Sequence, residues 1–207
     1  MKKIMQKIAI IIIISSAVTS AQSASERVEA FKKSVEAESK YNYSEAIAAL
    51  DKIDGKSSSD YLVNLRLGWL YYKTNKFQAS IKFYNNAVKI SDGSIEALLG
   101  LTYPLSSLYR WSEIESVYQR ILDKDELNYT ANLNLGKYYF NTKNFLNAKV
   151  KLQKIVDNYP SDYSGNIYLG WTLYYLGDEK NASKHFERAL IAIPGDSSAM
   201  EGFNLVK

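Results

Sequence analysis

The chain of 207 residues has no cysteine, three prolines, ten glycines and one histidine. Without cysteine there is no disulfide, no thiol nucleophile and no thiolate metal ligand. The lone histidine, His185, rules out an HExxH metal motif, and any Ser-His-Asp triad would have to use that residue. No glycine-rich phosphate loop is present. Low glycine and proline contents argue against a loop-rich β architecture. Charge of one sign is also scarce: 26 Lys and Arg stand against 22 Asp and Glu. What is abundant is apolar and aromatic side chain, at 46% and 13% of the sequence, as an ordered core requires.

The first residues read as an address rather than as fold. Lys2, Lys3 and Lys7 form a positive segment, Ile8 to Ile14 is apolar throughout, and small residues follow from Thr19 to Ala24. This is the pattern of a secretory signal peptide over residues 1–21, with cleavage expected after Ala21 or after Ser23. The apolar run is shorter than the ~20 residues a spanning helix needs. No cysteine lies near the junction, so acylation of a lipoprotein cysteine is excluded. Removing the three lysines leaves 23 basic against 22 acidic residues, a net charge of about +1. No nucleic-acid partner follows from that balance. An exported chain without disulfides must be stabilised by packing, and a periplasmic, envelope or extracellular setting is expected.

The rest of the sequence repeats with a period of 34. Five copies result, Arg27–Asp60, Tyr61–Ser94, Ile95–Asn128, Tyr129–Asp162 and Tyr163–Asp196, and Ser197–Lys207 begins a sixth. Position 8 is Gly68, Gly136 and Gly170 in three copies, each preceded by leucine. Position 17 is Tyr43, Phe77, Trp111 and Phe145. Position 20 is small in four copies (Ala46, Ser80, Ala148, Ala182), and position 24 is Leu50, Tyr84, Tyr118, Leu152 and Phe186. Position 34 is Asp60, Ser94, Asn128, Asp162 and Asp196, all good N-cap residues. Apolar residues recur at spacings of three and four, so each copy is expected to form two amphipathic helices. Asn75 and Gly177, in the mid-repeat turn, tolerate positive φ.

These residues resemble the tetratricopeptide repeat (TPR), over nearly the whole chain after the signal. The resemblance implies an all-α, right-handed TPR-type α-solenoid over residues 22–207: five helix-turn-helix repeats plus a C-terminal capping helix over 197–207. Ala199, Met200, Phe203 and Val206 are expected to cover its open end. The Trp often seen at position 4 is absent; Ala30, Asn64, Leu98, Asn132 and Asn166 stand there. Repeat three is irregular. Pro104 falls inside its first helix, where it removes a donor and is expected to kink the helix, with Gly100 relieving the clash. A second alignment, with Leu99 and Gly100 at positions 7 and 8 and a two-residue insertion before Trp111, is also open.

In TPR stacks the first helices line a concave groove, and positions 5, 9, 12 and 13 tend to face it. The resemblance therefore implies a partner-binding strip of Trp69, Tyr72, Tyr103, Phe140, Trp171 and Tyr174. Position alone leaves open whether these rings line a groove or fill a core, whereas Leu67, Tyr71 and Phe77 are core by position. A TPR subclass grips a C-terminal carboxylate with Lys and Asn. Here position 5 is hydrophobic and Lys137 is the sole base at position 9, so that mode is not expected. Lys143, Lys149, Lys151 and Lys154 are expected on a solvated convex face, and His185, at position 23, to be solvated. The functional expectation is a non-catalytic protein-interaction module or scaffold of the bacterial periplasm or cell envelope that holds a partner peptide in an aromatic groove. It carries no cofactor and no metal, and no membrane span once the signal is removed. The alternatives are a glycan-binding accessory protein of cell-wall or exopolysaccharide metabolism and a homo-oligomer built through the stack ends.

Overall fold

A computed structural model describes residues 24–54 and 59–207. The expected signal peptide and its cleavage sites lie outside the described residues. Among those residues the secondary structure is helical, with no strand. The helices are α1 (24–39), α2 (Tyr43–Asp54), α3 (Tyr61–Lys73), α4 (Phe77–Ile90), α5 (Ile95–Ser107), α6 (Trp111–Lys124), α7 (Tyr129–Asn141), α8 (Phe145–Asn158), α9 (Tyr163–Tyr175), α10 (Glu179–Ala192) and α11 (Ser197–Leu205). They form helix pairs of the tetratricopeptide type followed by a capping helix. First helices start at 61, 95, 129, 163 and 197, and second helices at 77, 111, 145 and 179, so the period of 34 holds throughout. The alignment with an insertion in repeat three is therefore wrong: α5 and α6 start 16 residues apart, as do α3 and α4, α7 and α8, and α9 and α10.

The caps fall where the sequence puts them. Asp60 accepts from the N–H groups of Leu62 and Val63, Ser94 from Ala97, Asn128 from Ala131, Asp162 from Gly165 and Asp196 from Ala199. Each satisfies an orphan donor of the first turn. The asparagines at position 4 explain why tryptophan is dispensable there. Asn132 Nδ2 donates to the carbonyls of Glu126 and Asn128, and Asn166 Nδ2 to those of Pro160 and Asp162, so each ties down the loop before its helix.

The chain divides between Tyr109 and Arg110 into two compact units. In the first, α2 packs on α3, α3 on α4 and α4 on α5, around Ala46, Leu50, Leu67, Leu70 and Phe83. In the second, α6 packs on α7, α7 on α8, α8 on α9, α9 on α10 and α10 on α11, around Leu152, Ile155, Leu169 and Phe186. Position 24 sets the spacing of these layers. Tyr84 lies against Gly68 of its own repeat and Gly100 of the next, and a Cβ on Gly68 would stand 2.8 Å from its ring. Phe186 is held likewise by Gly170 and Gly202. Gly100 is thus a seat for Tyr84, and α5 continues through Pro104 as one helix. The capping helix buries Ala199 and Gly202 and half-buries Phe203 and Val206, but Met200 is exposed rather than covering.

Two surface expectations are corrected. His185 is buried, not solvated, and its Nδ1 lies 2.9 Å from Asn166 Oδ1. Position 23 of α10 faces the first turn of α9, which excludes water from the ring. Of the four lysines expected on a solvated face, only Lys143 is exposed. Lys154 Nζ bonds Glu126 Oε1 at 2.6 Å, and burial pulls the Lys151 ammonium below its ordinary value.

Candidate functional site

The six aromatic residues singled out by position fall into two sets, one in each unit. In the first unit Trp69 and Tyr72 come from α3 and Tyr103 from α5. Their ring centroids are 5.6 Å (Trp69 to Tyr72), 6.0 Å (Trp69 to Tyr103) and 5.5 Å (Tyr72 to Tyr103) apart. Trp69 and Tyr72 are half-buried, and Tyr103 is 49% exposed. The cluster is therefore neither closed core nor free surface. Beside it opens a cleft of about 640 Å³ walled by first helices: Phe31 and Val35 from α1, Leu65 and Trp69 from α3, Leu99 and Tyr103 from α5. Leu67, by contrast, is fully buried, and Tyr71 stacks on Phe83 at 5.1 Å.

A polar brace that sequence reasoning missed holds this wall. Glu38 Oε2 accepts from Arg66 Nη2 at 2.8 Å, Arg66 Nε donates to Ser34 Oγ at 2.8 Å, and Trp69 Nε1 donates to Glu38 Oε1. Glu38, Arg66 and Ser34 stand at positions 12, 6 and 8, and no other repeat carries the same trio, so no periodic signal could have revealed it. The brace occupies the indole N–H and much of the guanidinium. What the cleft offers a ligand is mainly ring face and aliphatic surface, with one exposed carboxylate in its lining, Glu96, which accepts from Tyr61 Oη at 2.8 Å. At its floor Tyr84 is buried; desolvation, then Tyr103 and Tyr72, push its phenol well above the ordinary range, so it stays neutral.

In the second unit Trp171 meets Tyr174 edge-on at 5.7 Å, and its Nε1 donates to Ser198 Oγ at 2.9 Å. Phe140 reaches that pair through Tyr175, whose ring lies 6.1 Å from Phe140, 6.2 Å from Trp171 and 5.5 Å from Tyr174. Phe140 also packs on Tyr168 at 5.4 Å and Phe145 at 5.8 Å, and Lys137 Nζ sits 5.1 Å over the Tyr168 ring. All of these aromatic side chains except the exposed Tyr175 are half-buried. Tyr139 donates to Glu115 Oε1 at 2.6 Å; burial, then that carboxylate, push its phenol up to about 12. Among the described residues no group of three or more His, Asp or Glu is placed to hold a metal ion. Among them, too, no helix is long and apolar enough to cross a membrane.

Comparison with known proteins fits this geometry. Two tetratricopeptide repeat models match, one over residues 62–93 and one over 130–162. The chain belongs to the tetratricopeptide repeat family. No curated protein sequence matches it. Among solved structures, a tetratricopeptide repeat protein from Parabacteroides merdae ATCC 43184 superposes with a TM-score of 0.73 at 17% identity, covering 88% of this chain and 72% of that one. YrrB, described as a TPR protein with an unusual peptide-binding site, gives 0.70 at 15% identity over 92% of this chain and 97% of its own. MamA gives 0.70 at 18% identity over 82% and 92%. At such identities the likeness is one of TPR fold.

Proposed function

We propose that the chain is a non-catalytic protein-interaction module of the bacterial cell envelope, exported by its N-terminal signal, that holds a partner peptide against the aromatic faces of its first helices. The observation that carries this reading is the cleft in the first unit. Three first helices wall it, its lining is mainly apolar and aromatic, and the polar groups on Trp69, Arg66 and Glu96 have partners within the chain. A pocket of that kind recognises apolar side chains by area and shape, and tryptophan and tyrosine are the residues that concentrate binding energy at such places. Tetratricopeptide repeats serve protein–protein interaction, and the YrrB structure carries a peptide-binding site on the same fold. Charge supports a protein rather than a nucleic-acid partner, since the chain beyond the signal is nearly neutral.

A photo-crosslinking residue at Tyr103, on the cleft's exposed rim, tests this in intact cells. The expected result is a discrete adduct with one envelope protein that disappears in a Trp69→Ala background while helical content is retained. Adducts that persist in that background, or an adduct with polysaccharide and none with protein, would remove the proposal.

A further inference from the structure

Each repeat joins its two helices by the same turn, in which position 15 takes a left-handed backbone. The φ values are 60° at Tyr41, 58° at Asn75, 56° at Tyr109, 60° at Lys143 and 79° at Gly177. The N–H of each of these residues donates to the carbonyl three residues back, at 2.8–3.0 Å in every repeat. Glycine and asparagine suit that conformation; a tyrosine is strained in it. Asn75 and Gly177 show that this chain uses the unstrained residues elsewhere. At this position three other residues take it, Lys143 and two tyrosines, and nothing in the packing compensates at the tyrosines, because Tyr41 is 80% and Tyr109 79% exposed. Strain kept at an exposed aromatic points to a use outside the fold.

Both tyrosines belong to the first compact unit and stand at the same place in repeats one and three, at the tips of the edge where first helices end. Lysines flank them. Lys40 precedes Tyr41, and Lys73 and Lys76 bracket the intervening Asn75 turn; all three are exposed. Lys73 and Lys76 lie 5.3 and 5.9 Å over the Trp69 and Tyr71 rings, which keeps their ammoniums at this edge. Of the acids beside these turns, Glu45 accepts from Asn42 Nδ2 at 2.7 Å and Glu113 is paired with Arg110.

We propose that this edge is a peripheral docking surface for an anionic lipid bilayer. A phenol has an apolar body and a polar tip, which is the combination that settles at headgroup depth. Lysines beside it neutralise lipid phosphate, and each adds roughly fivefold to partition on an anionic surface. Two exposed tyrosines at equivalent turn tips, with lysines at the first turn and at the turn between them, suit a surface. An anionic polysaccharide favours rings set side by side in one groove, which these are not. The proposal does not depend on what fills the cleft, since none of Tyr41, Tyr109, Lys40, Lys73 and Lys76 lines it.

The test uses the full chain and vesicles of phosphatidylglycerol and phosphatidylethanolamine, with phosphatidylcholine as the neutral comparison. Its own apolar segment, Ile8 to Ile14, also partitions, so the readout must be local. In a Tyr41→Trp chain, brominated lipid should quench the new indole on anionic vesicles beyond the quenching of the unsubstituted chain. The double variant Tyr41→Asn/Tyr109→Asn should melt higher, because asparagine suits the turn, yet partition more weakly on anionic vesicles. Lys40→Gln/Lys76→Gln should lose the preference for anionic over neutral vesicles. No added quenching at position 41, or a double variant that melts higher and partitions unchanged, overturns the proposal. So does tyrosine-dependent binding to soluble polygalacturonate with vesicle partition unaffected.

Discussion

His185 shows how far a single residue can depart from its helical position. Burial, then Arg188 and Lys184, hold its imidazole down to about 4, against opposing pulls from Asp157 and Asp178. The neutral ring is therefore the native form. Stability from this residue is fully present above about 6.5, the ordinary histidine value, and is lost as pH falls towards 4, because the unfolded chain takes up the proton first. With partial solvation of the site discounted, the loss is on the order of 1–2 kcal/mol. Urea midpoints from pH 7 to pH 4 should fall accordingly, and His185→Gln, which can keep the bond to Asn166, should flatten that slope. Gly202 gives a second residue-scale prediction. A methyl there meets the Phe186 ring, so Gly202→Ala should cost about 1–3 kcal/mol by thermal melting. Phe186→Leu should restore part of it, since Leu152 at the same position is followed by Tyr168 where Phe186 is followed by Gly202. Position 8 and position 34 were legible in the sequence because they recur. His185, Glu38 and Arg66 were not, because each depends on particular neighbours brought close by the fold rather than on a period.

At the scale of the element, the repeats are joined by a bond no single helix reveals. Tyr129 Oη donates to Asp162 Oδ2 at 2.8 Å, while Asp162 Oδ1 accepts from the Gly165 N–H. One carboxylate thus caps α9 and receives the first residue of the preceding repeat. Burial, then this carboxylate, push the Tyr129 phenol up to about 12. Tyr61 makes the same link to Ser94, the cap of α5, at 2.9 Å. Asp162→Ala removes both bonds and should cost about 1–2 kcal/mol in a urea titration, and Tyr129→Phe about half of that. The caps could be read from sequence, since position 34 precedes each apolar run. The tyrosine link could have been read too: Tyr61, Tyr129 and Tyr163 stand at position 1, 33 residues before Ser94, Asp162 and Asp196. The Pro104 irregularity misled because proline and glycine are signals of local geometry, while the register is set by what position 24 packs against.

For the molecule as a whole, stability should accumulate by repeats, because each helix pair is covered by its neighbours. Removing residues 129–162 keeps the period, so the shortened chain should remain helical and melt at a lower temperature. Export predicts an envelope-fraction protein whose intact mass lacks the residues ending at Ala21 or Ser23. Recognition is where the account commits itself furthest. Peptides selected from a display library on the full chain should be apolar and aromatic, and calorimetry of one such peptide measures the claim directly. Trp69→Ala should weaken it by about 30-fold or more, as expected of a central aromatic anchor, while Trp69→Phe should keep most of the affinity, because the indole N–H is already bound to Glu38. An affinity unchanged by Trp69→Ala would contradict the claim that the ring faces of the first helices are what the partner meets.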